Sequence, residues 1–169
     1  MMAARDVLKN INLFVDGRGY AGQISEYNAP ELTLVTEDFR AGGMDVPVTL
    51  DMGMEPLETS FSLISYDRDV LALFGVAEGK SVPLTVRGAL ESWDGTVTPV
   101  VHHMRGKITK ISRGAWTPGQ KAELKITMRL DYYREEHGGQ AVHEIDVINM
   151  IRKVNGEDRL EGVRQALSI

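Results

Sequence analysis

The 169-residue chain is 43% hydrophobic and 25% charged with a formal net charge of −5, a balance that suits one ordinary folded domain and excludes a disordered chain. It contains no cysteine, which removes disulfides, thiolate-ligated metals and thiol nucleophiles. Acid outnumbers base, which argues against a phosphate-gripping surface. The N-terminal stretch lacks the apolar core of an export leader because Lys9, Asn10 and Asn12 interrupt it, and no apolar run approaches the length of a membrane span. Folding in the cytoplasm is the expectation.

The dominant sequence period is two, the signature of half-buried strands. Asp16-Gly17 marks an early reversal, and residues 31–38 alternate loosely. Residues 57–65 place Leu57, Thr59, Phe61 and Leu63 on one face and Glu58, Ser60 and Ser62 on the other. Residues 67–76 predict a helix with Asp67 as N-cap, followed by Val70, Leu71, Leu73 and Phe74. In 82–93, Val82, Leu84, Val86 and Leu90 share a side; Asp94-Gly95 then predicts a hairpin into a second strand over 96–111. Leu124, Ile126, Met128, Leu130 and Tyr132 alternate with Lys125, Thr127, Arg129 and Asp131, and Gly138-Gly139 predicts a reversal into 140–151. After Asn155-Gly156, residues 157–167 predict a short helix lined by Leu160, Val163, Ala166 and Leu167, with Glu157 and Asp158 at its start. The sum is a mainly β, single-domain chain, an antiparallel β-sandwich or small barrel with two short helices.

The segment 39–56 stands apart. Gly42, Gly43 and Gly53, Pro47 and Pro56, and Met44, Met52 and Met54 crowd into a stretch between two strand candidates. It reads as a long loop or extended hairpin, of a length usually kept for function. The methionines suit either an adaptable contact surface or packing beneath the loop.

Catalytic and metal-binding patterns do not assemble. His102 and His103 are adjacent, so on a strand they face opposite ways; His137 and His143 flank a reversal but supply only two ligands. The acid pairs Glu37-Asp38, Glu135-Glu136 and Glu157-Asp158 do not converge. Gly17, Gly19 and Gly22 match a dinucleotide-binding glycine pattern, but they lie in a hairpin and do not open a helix. No nucleophile–base pair, catalytic residue, metal site or cofactor site is expected.

Three blocks resemble, in order, the major tail tube proteins of contractile-tailed phages, including R-type pyocin tubes: VLKNINLFVDGRGYAG at 7–22, TEDFRAGGMDVPVTLDMGMEPLE at 36–58 and EIDVINMIRKVNGEDRLEGVRQAL at 144–167. The resemblance spans nearly the whole chain and is least specific over 66–120. It implies two packed antiparallel sheets with one outer helix, and a homo-hexameric ring whose strands merge into a shared inner barrel. Rings would stack into a hollow tube inside a sheath protein. The tube would start on a baseplate and be measured by a tape-measure protein, in a virion tail or pyocin-like particle assembled in the bacterial host cytoplasm. DNA would pass without specific binding, or the tube would puncture the target envelope. On this reading Phe39, Arg40, Ala41, Gly42, Gly43, Met44, Asp45, Val46, Pro47, Met52 and Met54 form the ring-stacking segment. Glu58, Ser60, Ser62, Lys125, Thr127, Arg129 and Asp131 are the lumen-facing candidates. The ring protein of a type VI secretion-like injection system is the related alternative; a ligand-binding β-barrel is the rival of another kind.

Overall fold

A computed structural model describes residues 3–169; residues 1 and 2, where the expected single domain begins, lie outside it. In chain order the elements are β1 (Val7–Val15), β2 (Arg18–Gly19), β3 (Ile24–Asn28), β4 (Leu34–Phe39), β5 (Val48–Met54), β6 (Leu57–Leu63), α1 (Arg68–Leu71), β7 (Val82–Glu91), β8 (Val97–Ser112), β9 (Leu124–His137), β10 (Gln140–Asp146), β11 (Ile151–Val154), β12 (Glu157–Asp158) and α2 (Glu161–Leu167). The chain is mostly antiparallel strand, sandwich-like, without a closed barrel.

The long strands β8 and β9 organise everything else. They pair along their whole length, and on the other edge of β9 first β6 and then β10 take their places. One leaf is therefore β3–β6–β9–β8, built from the Leu124–Leu130 half of β9. The other leaf runs β12–β11–β10–β9–β8–β7–β1–β2, with the remaining half of β9. The crossing from leaf to leaf occurs at register shifts, where Asp131 is the extra residue on β9 between the pairs Arg105↔Tyr132 and Gly106↔Leu130. A bulge of this kind bends a strand and re-aims its side chains. Asp131 thus lies at the bend and outside the regular alternation.

The alternating apolar residues meet in one core. Leu13, Phe61, Leu63, Leu84, Leu124, Ile126, Met128 and Val70 are fully buried there, drawn from both leaves and from α1. Asp67 does cap α1, its Oδ1 accepting the Asp69 N–H at 2.7 Å. The helix itself is shorter than the 67–76 stretch, because Gly75 takes a positive φ and Phe74 and Gly75 bridge to Ile108 of β8.

The C-terminal reading needs correction. Residues 157–158 are strand and not helix. Asn155 and Gly156 both hold positive φ and turn β11 back on β12, the ordinary behaviour of an Asn-Gly pair between strands. Asp158 then accepts the Leu160 N–H and pairs with Arg164, whose other nitrogen donates to the Met150 carbonyl at 2.8 Å. The helix begins only at Glu161 and has no buried residue, so Arg164 is its main tether to the body.

Candidate assembly surfaces

Strands β4 and β5 form a separate two-stranded hairpin that projects as an arm. Its pairs Glu37↔Leu50 and Phe39↔Val48 share one face; Thr36↔Asp51 and Asp38↔Thr49 share the other. With Val35 and Met52 on the first face, that face is apolar except for Glu37, and all of it is exposed in the single chain: Phe39 is 52%, Val48 46%, Leu50 42% and Met52 56% accessible. The second face is polar, with Thr49 Oγ1 donating to Asp38 at 3.2 Å. Two strands alone are marginally stable in water. The root is pinned instead by Arg152, which reaches Asp51 at 2.6 Å, and by Met54, which packs on the core.

The arm's tip is a closed turn. Ala41 accepts the Met44 N–H at 3.2 Å, the Arg40 side chain donates to the Met44 carbonyl at 3.0 Å, and Gly43 takes φ +86°. Glycine is the residue that reaches this region without a Cβ penalty. Asp45, Val46 and Pro47 lead from the tip into β5, and Val46 is 69% exposed. The three methionines divide between the two readings offered by the sequence: Met54 is packed, Met52 is bare on the apolar face, and Met44 folds back on the turn. Val35, Val48 and Leu50 belong to the same apolar face although they were not among the expected stacking residues; their period-two spacing with Phe39 and Met52 carried the signal.

The polar side of the β3–β6–β9–β8 leaf is a second surface. Register aligns its residues in rows: Glu58, Arg129 and Lys107; then Asn28, Ser60, Thr127 and Lys110; then Glu26, Ser62, Lys125 and Ser112. Glu58, Lys125 and Arg129 are exposed and Ser60 and Thr127 half-buried, whereas Ser62 is only 3% accessible within its own chain. The candidates named from the sequence other than Asp131 therefore do share one face, and Asp131 sits at the bend beside Arg105 and Lys107.

A half-buried polar cluster closes the far end of the core. Tyr27 Oη lies 2.8 Å from His102 Nδ1, and the Glu135 carboxylate stands 3.5 Å from His102 and 3.2 Å from both His143 and the Tyr133 hydroxyl. Burial lowers the His102 pKa from its ordinary value, outweighing the pull of Glu135. Burial pushes the Glu135 carboxyl up, but the bonds from His143 and Tyr133 and the charge of His102 hold it below the usual range. His103 faces the other way, toward Glu136, as adjacency on a strand requires. Gly17 and Gly22 both sit in turns at φ +79°.

An amphipathic arm whose apolar face is exposed among the described residues, beside a polar leaf, has the make-up of a structural subunit. The sequence matches the phage tail tube protein FII family over residues 5–167, and the chain belongs to that family. It is 33% identical to the tail tube protein of Escherichia phage P2, over 99% of this chain and all of that one. It is 28% identical to the major tail tube protein of Serratia phage KSP20, over 93% of this chain and 92% of that one. Its fold matches a chain of the sheath–tube complex of an extracellular contractile injection system, PVC, with TM-score 0.57 and 10% identity, covering 75% of this chain and 88% of the other. The protein is a phage-type tail tube protein, a structural component and not an enzyme. Among the described residues no helix is long and apolar enough to cross a membrane.

Proposed function

We propose that six copies of this chain close into a ring and that rings stack into the hollow inner tube of a contractile tail. The bare apolar face of the arm carries this reading. Phe39, Val48, Leu50 and Met52 each stand to gain on the order of 1 kcal/mol when fully covered, and the described residues leave about half of each exposed. The arm reaches out from the body, so its natural cover is the next copy. Residues 39–47 with Met52 then form the stacking contact, and Met54 anchors the root. The polar leaf faces the lumen through Glu58, Ser60, Lys125, Thr127 and Arg129. The sheath surrounds the tube, a baseplate nucleates it and a tape-measure protein sets its length. DNA moves through without specific contacts, or the tube acts as a puncturing rod in a particle that carries none. Assembly takes place in the cytoplasm of the bacterial host.

The test replaces Phe39 and Leu50 together by serine. Both side chains are exposed, so circular dichroism and the urea midpoint stay at the parent's values while long tubes vanish from negative-stain micrographs. Full-length tubes from this double variant would remove the arm from the stacking role.

A further inference from the structure

One strand of the polar leaf is tied to the other leaf by a chain of polar contacts. β3 has β6 as its sole strand neighbour among the described residues, and it reaches the core with Ile24 and Tyr27. Tyr27 makes the link across, its hydroxyl 2.8 Å from His102 Nδ1 on β8. The other ring nitrogen of His102, Nε2, faces the Glu135 carboxylate at 3.5 Å. Glu135 in turn meets the Tyr133 hydroxyl and His143 Nδ1, each at 3.2 Å.

These partners fix the roles of the two ring nitrogens. A carboxylate only accepts, so the neutral ring carries its proton on Nε2 and offers Nδ1 as acceptor to the Tyr27 hydroxyl. A second proton goes to Nδ1 and reverses that bond. The Tyr27 hydroxyl must then turn away, and its other acceptor is the Met104 sulfur at 3.7 Å, a weak one. The imidazolium also calls for water, and little reaches it. The His102 side chain is 13% accessible, and β1 and β7 line the adjoining cleft with Leu8, Ile11, Val86, Gly88 and Leu90 alone. The titratable groups around the ring are Tyr27 of β3, His103 of β8, Tyr133 and Glu135 of β9 and His143 of β10. Glu135 is the one acid among these groups, and His143 shares it. Burial outweighs its pull, so His102 resists the second proton. Water enters where the packing is thinnest, by β3 lifting from the core with Tyr27.

β3 is also the strand that leads into the arm, through residues 29–33 to Leu34 of β4. His143 approaches the same root from the other side. It lines a groove with Leu32, Leu34, Asp51, Arg152, Lys153 and Arg159, where the Asp51–Arg152 ion pair pins the arm. One cluster thus bears on both sides of the arm's seat.

We propose that Tyr27, His102, Glu135 and His143 form a proton-operated latch on the arm. Closed while His102 is neutral, the latch seats β3 and the arm root on the body; opened by the second proton on His102, it frees them. Its bearing on assembly rests on the reading of the arm as the stacking contact.

The full-length chain has no cysteine, so a fluorophore on Asp45→Cys, exposed at the arm's tip, reports the arm alone. Hydrogen exchange of residues 24–33, corrected for the intrinsic pH dependence of exchange, reports β3. The open latch binds the proton at the ordinary 6.5 and the closed latch below it, so closure is complete well above 6.5 and weakens as pH falls through it. Between pH 7.5 and pH 5.5, β3 exchange is expected to rise by up to about tenfold. The anisotropy at the tip falls with it, while amides of β8 and β9 keep their protection. His102→Asn places an acceptor at the Nδ1 position but takes no proton, and should leave both readouts flat. Unchanged β3 exchange in the parent, a tip that stays rigid while β3 opens, or a His102→Asn chain that responds like the parent would each overturn the latch and leave the tube reading intact. Tubes that form equally at both pH values while the latch opens would instead overturn the stacking role of the arm.

Discussion

Gly106 is the residue on which the bend between the two leaves depends, and replacing it by alanine isolates that bend. Its φ is not in the left-handed region, so the argument is one of space and not of backbone freedom. A Cβ at this position would overlap the Arg129 carbonyl oxygen outright and lie 2.8 Å from Leu130 Cα and 2.9 Å from the Arg129 carbonyl carbon. All three are backbone atoms of β9, held in register by β6 on the far side. They can retreat only if the β8–β9 ladder opens where the strand changes leaf. Inserting a methyl group into a packed site costs about 1–3 kcal/mol where side chains can give way. Here the backbone must move, so the expected loss is ~3–5 kcal/mol, a large part of the stability of a domain this size. Gly88 is the control: its Cβ would lie 3.2 Å from the flexible end of Leu8, and Gly88→Ala is expected to cost about 1 kcal/mol or less. Urea unfolding with a common m-value ranks the two variants. A Gly106→Ala protein within about 1 kcal/mol of the parent would refute the claim that the leaf crossing is closed to a side chain.

Two further perturbations probe the tether and the half-buried cluster. Arg164→Ala removes the bonds to Asp158 and to the Met150 carbonyl; amides of 161–168 should lose hydrogen-exchange protection while those of β9 keep theirs, and unchanged protection would show that α2 is held by other means. The same tether responds to acid. The bond from Arg164 holds the Asp158 pKa at about 2, below its ordinary 3.8, so its contribution is complete above that ordinary value and is lost as pH falls through about 2. His102 acts in the opposite range. Its pKa is lowered, so the unfolded chain binds the proton more readily and stability falls as pH drops through the ordinary 6.5, with Tyr27, Tyr133, Glu135, His103 and His143 as the surrounding titratable groups. The urea midpoint should be lower at pH 5.5 than at pH 7.5, and His102→Gln should lessen that difference; an equal fall in both proteins would assign the effect to another group.

The strands of the core were legible because one side of each is buried and the other wet. In β6 and β9 the alternation of Leu57 to Leu63 and of Leu124 to Leu130 states the face directly. The Asp94-Gly95 and Gly138-Gly139 dipeptides marked the two reversals through local backbone chemistry. The arm was less legible. Both its faces are exposed in the single chain, so its alternation competed with the glycines and prolines of the tip. At the C-terminus, acids ahead of an apolar stripe looked like a helix start, while the Asn155-Gly156 turn decided the outcome. The blocks that resemble tail tube proteins now have local causes. Asp146 accepts the Ile148 and Asn149 amides at 3.1 Å and the Asn149 side chain at 2.7 Å, which shapes the β10–β11 turn within EIDVINMI. Asp158 and Arg164 do the same for the start of α2. Edges could not be read in advance, because whether a strand has a neighbour depends on the topology of the whole sheet.

The net charge of −5 describes the chain and not the surface proposed to face the lumen. On the β3–β6–β9–β8 leaf, the acids Glu26 and Glu58 are set against Lys107, Lys110, Lys125 and Arg129, so this leaf carries more base than acid. A simple picture of an acidic bore repelling DNA therefore does not hold for this chain.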